Sequence, residues 1–304
     1  AAFELDTSNL QPFAPLLRLG KPDGSGGFNV AINHSGKRAV TGGWFGQLGL
    51  WSLETGKPLA ELLGYGIIWG ITPSPTGPCF IAETNTGSKA FKATEDQLVE
   101  VATLADDQGA VAFSPDGELV VTGASDSTAR FWSTTTWEEV REPLPLPAKL
   151  SRAAFFPEGE LVAFFCGDGT VHFWSLATEQ FDGATLQHPE SRGSVVGTPQ
   201  TRAIAVSPDG AQVATGGMSR QVIIWESVTR RPTGIALAHD GPVKRIAYTP
   251  DGKRLLTATR DGSVYMWAVD TGERIGPPII EPVDALDVAF GPNRNRVLVG
   301  TDKG

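Results

Sequence analysis

The chain has 304 residues, 40% hydrophobic and 19% charged, with 36 Gly and 22 Pro, which suits short buried strands joined by tight turns better than charged amphipathic helices. A net charge of −9 argues against a nucleic-acid backbone as the main partner, since that binding depends on concentrated Lys and Arg. No apolar run approaches the roughly 18 residues of a membrane span, so a soluble, cytoplasmic protein with no membrane partner is expected.

The first residue is Ala, from which a processed chain, or one cut from something longer, is expected. The opening AFELDTSNLQP parallels MWAVDTGERIGPP (266–278), with Phe3 in the position of Trp267 and Asp6-Thr7 over Asp270-Thr271. GKPDGSGGF (20–28) is Gly-rich, but it lacks a following Gly-Lys-Ser/Thr and precedes a strand, so it reads as a connector and not a phosphate loop. One pattern then recurs: NHSGKRAVTGGWFGQLGLWSLET (33–55), SPTGPCFIAETNTGSKAFKATED (74–96), FSPDGELVVTGASDSTARFWSTTT (113–136), FPEGELVAFFCGDGTVHFWSLAT (156–178), VSPDGAQVATGGMSRQVIIWESVT (206–229) and YTPDGKRLLTATRDGSVYMWAVDT (248–271). A seventh copy begins at AFGPNRNRVLVGTDKG (289–304) and stops.

The aromatics that end each third strand, Trp51, Phe91, Trp132, Trp174, Trp225 and Trp267, fall at steps of 40, 41, 42, 51 and 42, the spacing of propeller blades. Each unit reads as an apolar strand, a Pro-Asp-Gly-like turn, a strand of small and apolar residues, a second turn and a third strand. A fourth strand follows a Thr-Gly or its equivalent. The 51-residue step contains an insertion in the loop 181–200, read as a surface loop that could carry function.

These units resemble the WD-repeat β-propellers, in their bacterial style, over essentially the whole chain. The Trp-Asp dipeptide of that family is absent, its Asp being replaced by Ser52, Ser133, Ser175, Glu226 and Ala268. The resemblance implies an all-β, seven-bladed β-propeller of four-stranded antiparallel blades, one domain over 1–304. The half-built seventh copy and the repeat-like chain start point to a last blade closed by strands from both chain ends, about 1–19 and 283–304, the alternative being that a longer parent chain supplies more blades. The resemblance also implies a structural network of a His before the first strand, a Ser or Thr in the second, the turn Asp and the Trp. Only the sixth unit holds all four, as His239, Thr257, Asp261 and Trp267, so that blade should be the most rigid. Asp261→Ala should accordingly cost more than Asp168→Ala.

In such a propeller the loops before the first strand and between the second and third strands share the top face. By alignment an apolar arc of Phe28, Trp44, Phe45, Tyr65, Trp69 and Leu286 would lie there on the seventh, first and second blades, and a basic arc of Arg202, Arg220, Lys244 and Arg260 on the fifth and sixth. Large aromatics where other copies are small or polar point to a partner site; the competing reading is that Trp44 and Trp69 fold down as packing.

No catalytic group is expected. His34, His172, His188 and His239 have no ligand spacing to one another or to a Cys, and GASDS (123–127) lacks the second Gly of a nucleophile turn. Asp126, Asp168 and Asp261 sit where a short carboxylate accepts turn N–H bonds. Cys79 and Cys166 lie in apolar runs and read as buried free thiols. The expectation is a monomeric, non-catalytic scaffold without metal or cofactor that binds a protein or peptide on its top face. The alternatives are a regulatory or sensor domain of a larger signalling protein with a kinase or nucleotide-binding module, and a propeller hydrolase or lyase.

Overall fold

Each of the six complete repeats becomes one antiparallel sheet, because its first three apolar segments are separated by turns too tight for anything but hairpins. The structure is a computed structural model that describes residues 2–6, 28–105, 109–189, 202–280, 285–290 and 296–301.

Blade 1 is formed by Phe28–Ile32, Arg38–Gly43, Leu48–Ser52 and Pro58–Leu62, and blade 2 by Ile68–Pro73, Cys79–Thr84, Gly87–Ala93 and Leu98–Ala105. Blade 3 comprises Val111–Phe113, Leu119–Gly123, Thr128–Ser133 and Leu144–Pro145. In blade 4, Leu150–Phe155, Leu161–Cys166 and Thr170–Ser175 are followed by an outer edge in two pieces, Gln180–Phe181 and Leu186–Gln187. Blade 5 contains Arg202–Val206, Gln212–Gly217, Gln221–Glu226 and Pro232–Ala238; blade 6 contains Val243–Tyr248, Arg254–Thr259, Ser263–Ala268 and Ile279–Ile280.

The expectation of seven four-stranded blades is corrected here: among the described residues the all-β propeller fold has six. Ala285–Phe290 and Arg296–Thr301 form a further sheet with Ala2–Asp6, which holds three strands. Its fourth strand would have to come from the segment after Asp6, which lies outside the described residues. The register of this sheet also corrects the alignment of the chain start. Leu5, not Phe3, stands opposite Val297, the place that Trp267 takes opposite Leu255. The two-residue offset preserves which residues share a sheet face, since the side-chain period of a strand is two.

Second strands are the most deeply packed. Arg38–Gly43, Leu161–Cys166, Gln212–Gly217 and Arg254–Thr259 are each buried at every position after the first. Burial on both faces explains why they read as unbroken runs of small and apolar residues, without the polar alternation of a half-solvated strand.

The chain divides into two compact units. The first holds blades 1 and 2, the three-stranded sheet and the inner strands of blade 3. Its core includes Val40, Leu48, Leu50, Ile68, Phe80 and Phe91, contributed by facing sides of blades 1 and 2. The second holds blades 4 to 6, where Phe165, Phe173, Val213 and Trp225 pack between blades 4 and 5, and Ile224, Leu237, Tyr248 and Trp267 between blades 5 and 6.

Candidate functional site

The exposed aromatics of the first unit are placed by two loops that are tied together. In blade 1 the turn between second and third strands closes through Gly43 N donating to Gln47 O at 3.1 Å, and it carries Trp44 and Phe45 at its tip. The loop entering blade 2 crosses beside it, and Tyr65 N donates to Gly46 O at 3.2 Å. Gly46 is required at that crossing. It has a φ of 76°, and a Cβ there would lie 2.6 Å from Gly66 N and 2.9 Å from Gly66 O. Asn85 fastens the same loop from blade 2, accepting from Ile67 N at 2.9 Å through Oδ1 and donating its own N–H to Ile67 O at 2.9 Å. Asn29 Nδ2 donates to Ile68 O at 2.6 Å, joining the first strands of the two blades.

On this frame Trp44 is 54% exposed, Phe45 70%, Trp69 46% and Leu63 66%. Trp44 and Trp69 therefore do not fold down as packing. Tyr65 does: it is half-buried with its ring edge-on to Phe91 at 5.0 Å, and burial, with Glu100 accepting from its hydroxyl, raises its pKa. Leu63 was not singled out in the sequence, because it continues the apolar run of the preceding strand; the Gly64 after it, where the strand has ended, is the signal that it lies in a loop.

A backbone irregularity explains which positions of the aligned arcs reach solvent. The register shifts between Ile68 and Gly70, Leu150 and Arg152, Val243 and Arg245, and Ala285 and Asp287. Trp69, Ser151 and Lys244 are thus the extra residues of β-bulges, which re-aim a side chain out of the ladder, and Leu286 holds the same backbone position. Blades 1 and 5 have no such bulge, Phe28 pairing directly with Gly43 and Arg202 with Gly217. Arg202 is consequently not a surface residue. It is 3% exposed, Nη2 donates to Gly167 O at 2.5 Å, and the guanidinium lies 5.3 Å from the centre of the Phe165 ring. Of the rest of the basic arc, Arg220 and Arg260 are exposed and Lys244 is half-buried. The side chains of Phe28 and Leu286 lie outside the described residues.

The network of blade 6 forms through three of its four members. Trp267 Nε1 donates to Thr257 Oγ1 at 3.0 Å, and Thr257 Oγ1 is 2.7 Å from His239 Nε2. His239 Nδ1 is 3.0 Å from Leu237 O, so Nδ1 carries the proton and Thr257 donates to Nε2. With both ring nitrogens engaged, Asp261 serves its own turn, accepting from Thr259 Oγ1 at 2.5 Å and Ser263 N at 3.2 Å. Asp126 and Asp168 act alike, each accepting at 3.0 Å from the backbone N–H two residues on, as expected of turn carboxylates.

Blade 5 has a second network that spacing concealed. Trp225 Nε1 donates to Thr215 Oγ1 at 2.8 Å, which lies 2.9 Å from His188 Nδ1, while His188 Nε2 is 2.8 Å from Ser219 Oγ. From His188 to Trp225 is 37 residues, against 28 from His239 to Trp267, and the insertion supplies the excess. His188 thus belongs to the structured start of the 181–200 loop, whose residues 190–200 lie outside those described. Burial lowers the pKa of both His188 and His239 to about 4, so both rings are neutral at pH 7.

Among the described residues no three of His, Cys, Asp and Glu converge in a way that could hold a metal ion. Cys166 is a buried free thiol raised to about 12 by burial, but Cys79 is only half-buried. No helix among the described residues is long and apolar enough to cross a membrane.

Comparison with known proteins follows the same repeat. The WD40 family model, described as WD domain, G-beta repeat, matches residues 101–133, 190–226 and 231–268, spans that end at the third strands of blades 3, 5 and 6. The chain is 30% identical over 117 residues to "Cross-pathway control WD-repeat protein 2" of Flammulina velutipes. That match covers 35% of this chain and 37% of the fungal protein.

Proposed function

From the premise that this chain is an all-β propeller carrying WD40 repeats, we propose that it is a non-catalytic scaffold that binds a protein or peptide through the aromatic end of blades 1 and 2. WD40 propellers generally mediate protein–protein interaction, and the observation that carries this reading is the exposure of Trp44, Phe45 and Leu63 on two hydrogen-bonded loops and of Trp69 on the bulged strand that follows the second loop. A loop pair braced by Gly46, Asn85 and Asn29 presents those side chains with little backbone freedom left to lose on binding. Exposed apolar surface of this kind marks interaction sites, and Trp is among the residues that dominate them. The exposed Arg220 and Arg260 and half-buried Lys244 of blades 5 and 6 are a second, basic contact region in this reading. In this reading the chain is one monomeric domain, and the three-stranded sheet of Ala2–Asp6, Arg296–Thr301 and Ala285–Phe290 is shared between its two ends.

In capture from a host extract, Trp44→Ala and Trp69→Ala should each abolish partner recovery while the melting temperature stays close to that of the parent. A contact residue at a hot spot loses about 2 kcal/mol or more of binding on truncation, whereas an exposed side chain changes stability by about 0.5 kcal/mol or less. Undiminished recovery by both variants would remove the aromatic end as the site.

A further inference from the structure

We infer that the outer edge of blade 2, the strand Leu98–Ala105, takes up an extended segment of a protein partner as an added antiparallel strand. It is a different surface from the aromatic loops, and its occupancy is independent of theirs.

An edge strand offers a row of backbone N–H and C=O groups to any chain able to pair with them, and proteins blunt such edges with proline, lysine or shortness. Five of the six four-stranded blades are blunted. The edge of blade 1 opens on Pro58 and that of blade 5 on Pro232, the latter interrupted by Gly234 at a φ of 92°. Blades 3 and 6 have edges of two residues, Leu144–Pro145 and Ile279–Ile280, the second preceded by Pro277-Pro278. In blade 4 the edge is broken into the short pieces Gln180–Phe181 and Leu186–Gln187.

Blade 2 lacks all three devices. Its edge is the longest strand among the described residues, and the sequence LVEVATLA contains no Pro, Gly or Lys. Val99 is 48% exposed and Val101 38%. The single charge does not guard the edge, because Glu100 Oε1 accepts from Lys89 Nζ and from Thr103 Oγ1, both at 3.2 Å, and is held on the sheet. Bulges at Val101 and Leu104 bend the strand, but the edges of blades 1 and 5 are bulged too, so length and composition set blade 2 apart. Among the described residues no strand pairs with its outer side.

Backbone pairing requires an extended segment, Val99 and Val101 favour β-branched neighbours across the new pair, and an antiparallel partner continues the order of the blade. The C-terminal end of such a segment lies beside the hairpin that leads into Leu98, where Glu95 and Asp96 are exposed. Lys92 stands one strand further in, opposite Val99, and no other Lys or Arg occurs before Arg130. A Lys or Arg ending the segment therefore meets carboxylates. A second copy of this chain would instead bring its own Asp106-Asp107, which follows Ala105 in the sequence, towards those carboxylates with like charges opposed.

The test titrates the full chain against a labelled, acetylated peptide of alternating Thr and Val ending in Lys-Lys, read by fluorescence anisotropy. The same peptide with its Thr and Val nitrogens methylated keeps side chains and charge but has no ladder donors, and should bind on the order of tenfold more weakly or worse. The Val99→Lys/Val101→Lys double variant supplies the missing edge charge at exposed positions and should lose affinity by a similar factor, with an unchanged circular dichroism spectrum and melting temperature. Exchanging Lys-Lys for Glu-Glu should weaken binding, and Glu95→Lys/Asp96→Lys should reverse that order. Binding indifferent to methylation or to the lysine variant, or no binding at all, would overturn the added strand; indifference to the charged tail would overturn its cation. Sedimentation showing a dimer that the lysine variant abolishes would overturn the peptide and assign the edge to a second copy.

Discussion

Blades 4 and 6 belong to the same compact unit and keep the same third-strand Trp, yet they treat its indole N–H in opposite ways. In blade 6, Thr257 accepts from Trp267 and passes the chain of hydrogen bonds to His239. Blade 4 has Phe164 in the place of that Thr, fully buried, and Trp174 Nε1 is buried without a partner. Blade 4 offsets the loss with aromatic contact, as Trp174 meets Phe181 edge-on at 5.0 Å. The two blades show that the repeat demands a bulky aromatic at the end of the third strand. The polar network beneath it is a separate layer, present in blades 5 and 6 and replaced in blade 4.

The largest effect expected of that layer is on pH dependence. His188 and His239 have folded-state pKa values of about 4, below the ordinary value of 6.5. Between those limits the unfolded chain binds protons that the folded chain does not. Stability is therefore full above about pH 6.5 and falls as the pH drops towards 4, by up to ~3 kcal/mol for each ring. Burial shifts His172 in the same direction. The turn carboxylates Asp116, Asp168, Asp209, Asp251 and Asp261 are lowered, and their contribution is lost only below the usual carboxylate range, so the two windows separate. Urea unfolding at pH 7, 6, 5 and 4 should show the decline; a flat curve down to pH 4 would mean that the two imidazoles are not buried neutral.

Thr257→Val comes next. It keeps the shape but orphans both Trp267 Nε1 and His239 Nε2, at about 1 to 3 kcal/mol for each group left unsatisfied. Chemical denaturation should register most of that sum, and a loss below about 0.5 kcal/mol would show that water replaces the hydroxyl.

A pair of identical substitutions sharpens the contrast between the blades. Trp267→Phe sacrifices a hydrogen bond together with buried area, whereas Trp174→Phe removes an indole N–H that is already without a partner. The blade 6 variant should melt lower than the blade 4 variant by about 1 kcal/mol of stability. Equal melting would break the comparison.

The smallest expected difference lies between Asp261→Ala and Asp168→Ala. The sequence favours a larger loss in blade 6, but both carboxylates serve only their own turns, each accepting from a Thr hydroxyl and a backbone N–H. Each should cost about 1 kcal/mol, the two being equal within error in paired unfolding curves. A markedly larger loss at Asp261 would restore it to the His239 network.

Much of this molecule was legible from the 304 residues alone. The blade period follows from turn chemistry and strand alternation, which are local: Pro-Asp-Gly at 115–117, 208–210 and 250–252 closes the first hairpin of blades 3, 5 and 6, and an aromatic every forty or so residues caps each third strand. Burial of the second strands was equally readable, because a strand covered on both faces loses its polar alternation. Leu5 standing where Phe3 was expected, and His188 joining Thr215, were not readable, since pairing register and a partner beyond an insertion depend on which segments meet in space. Trp69 and Arg202 occupy the same aligned position, and a bulge sends the first into solvent while its absence turns the second inward onto Gly167. Sequence determined which side chains could bear function; tertiary structure decided which of them face solvent, because a one-residue slip in a ladder reverses the direction of a side chain at no cost in composition.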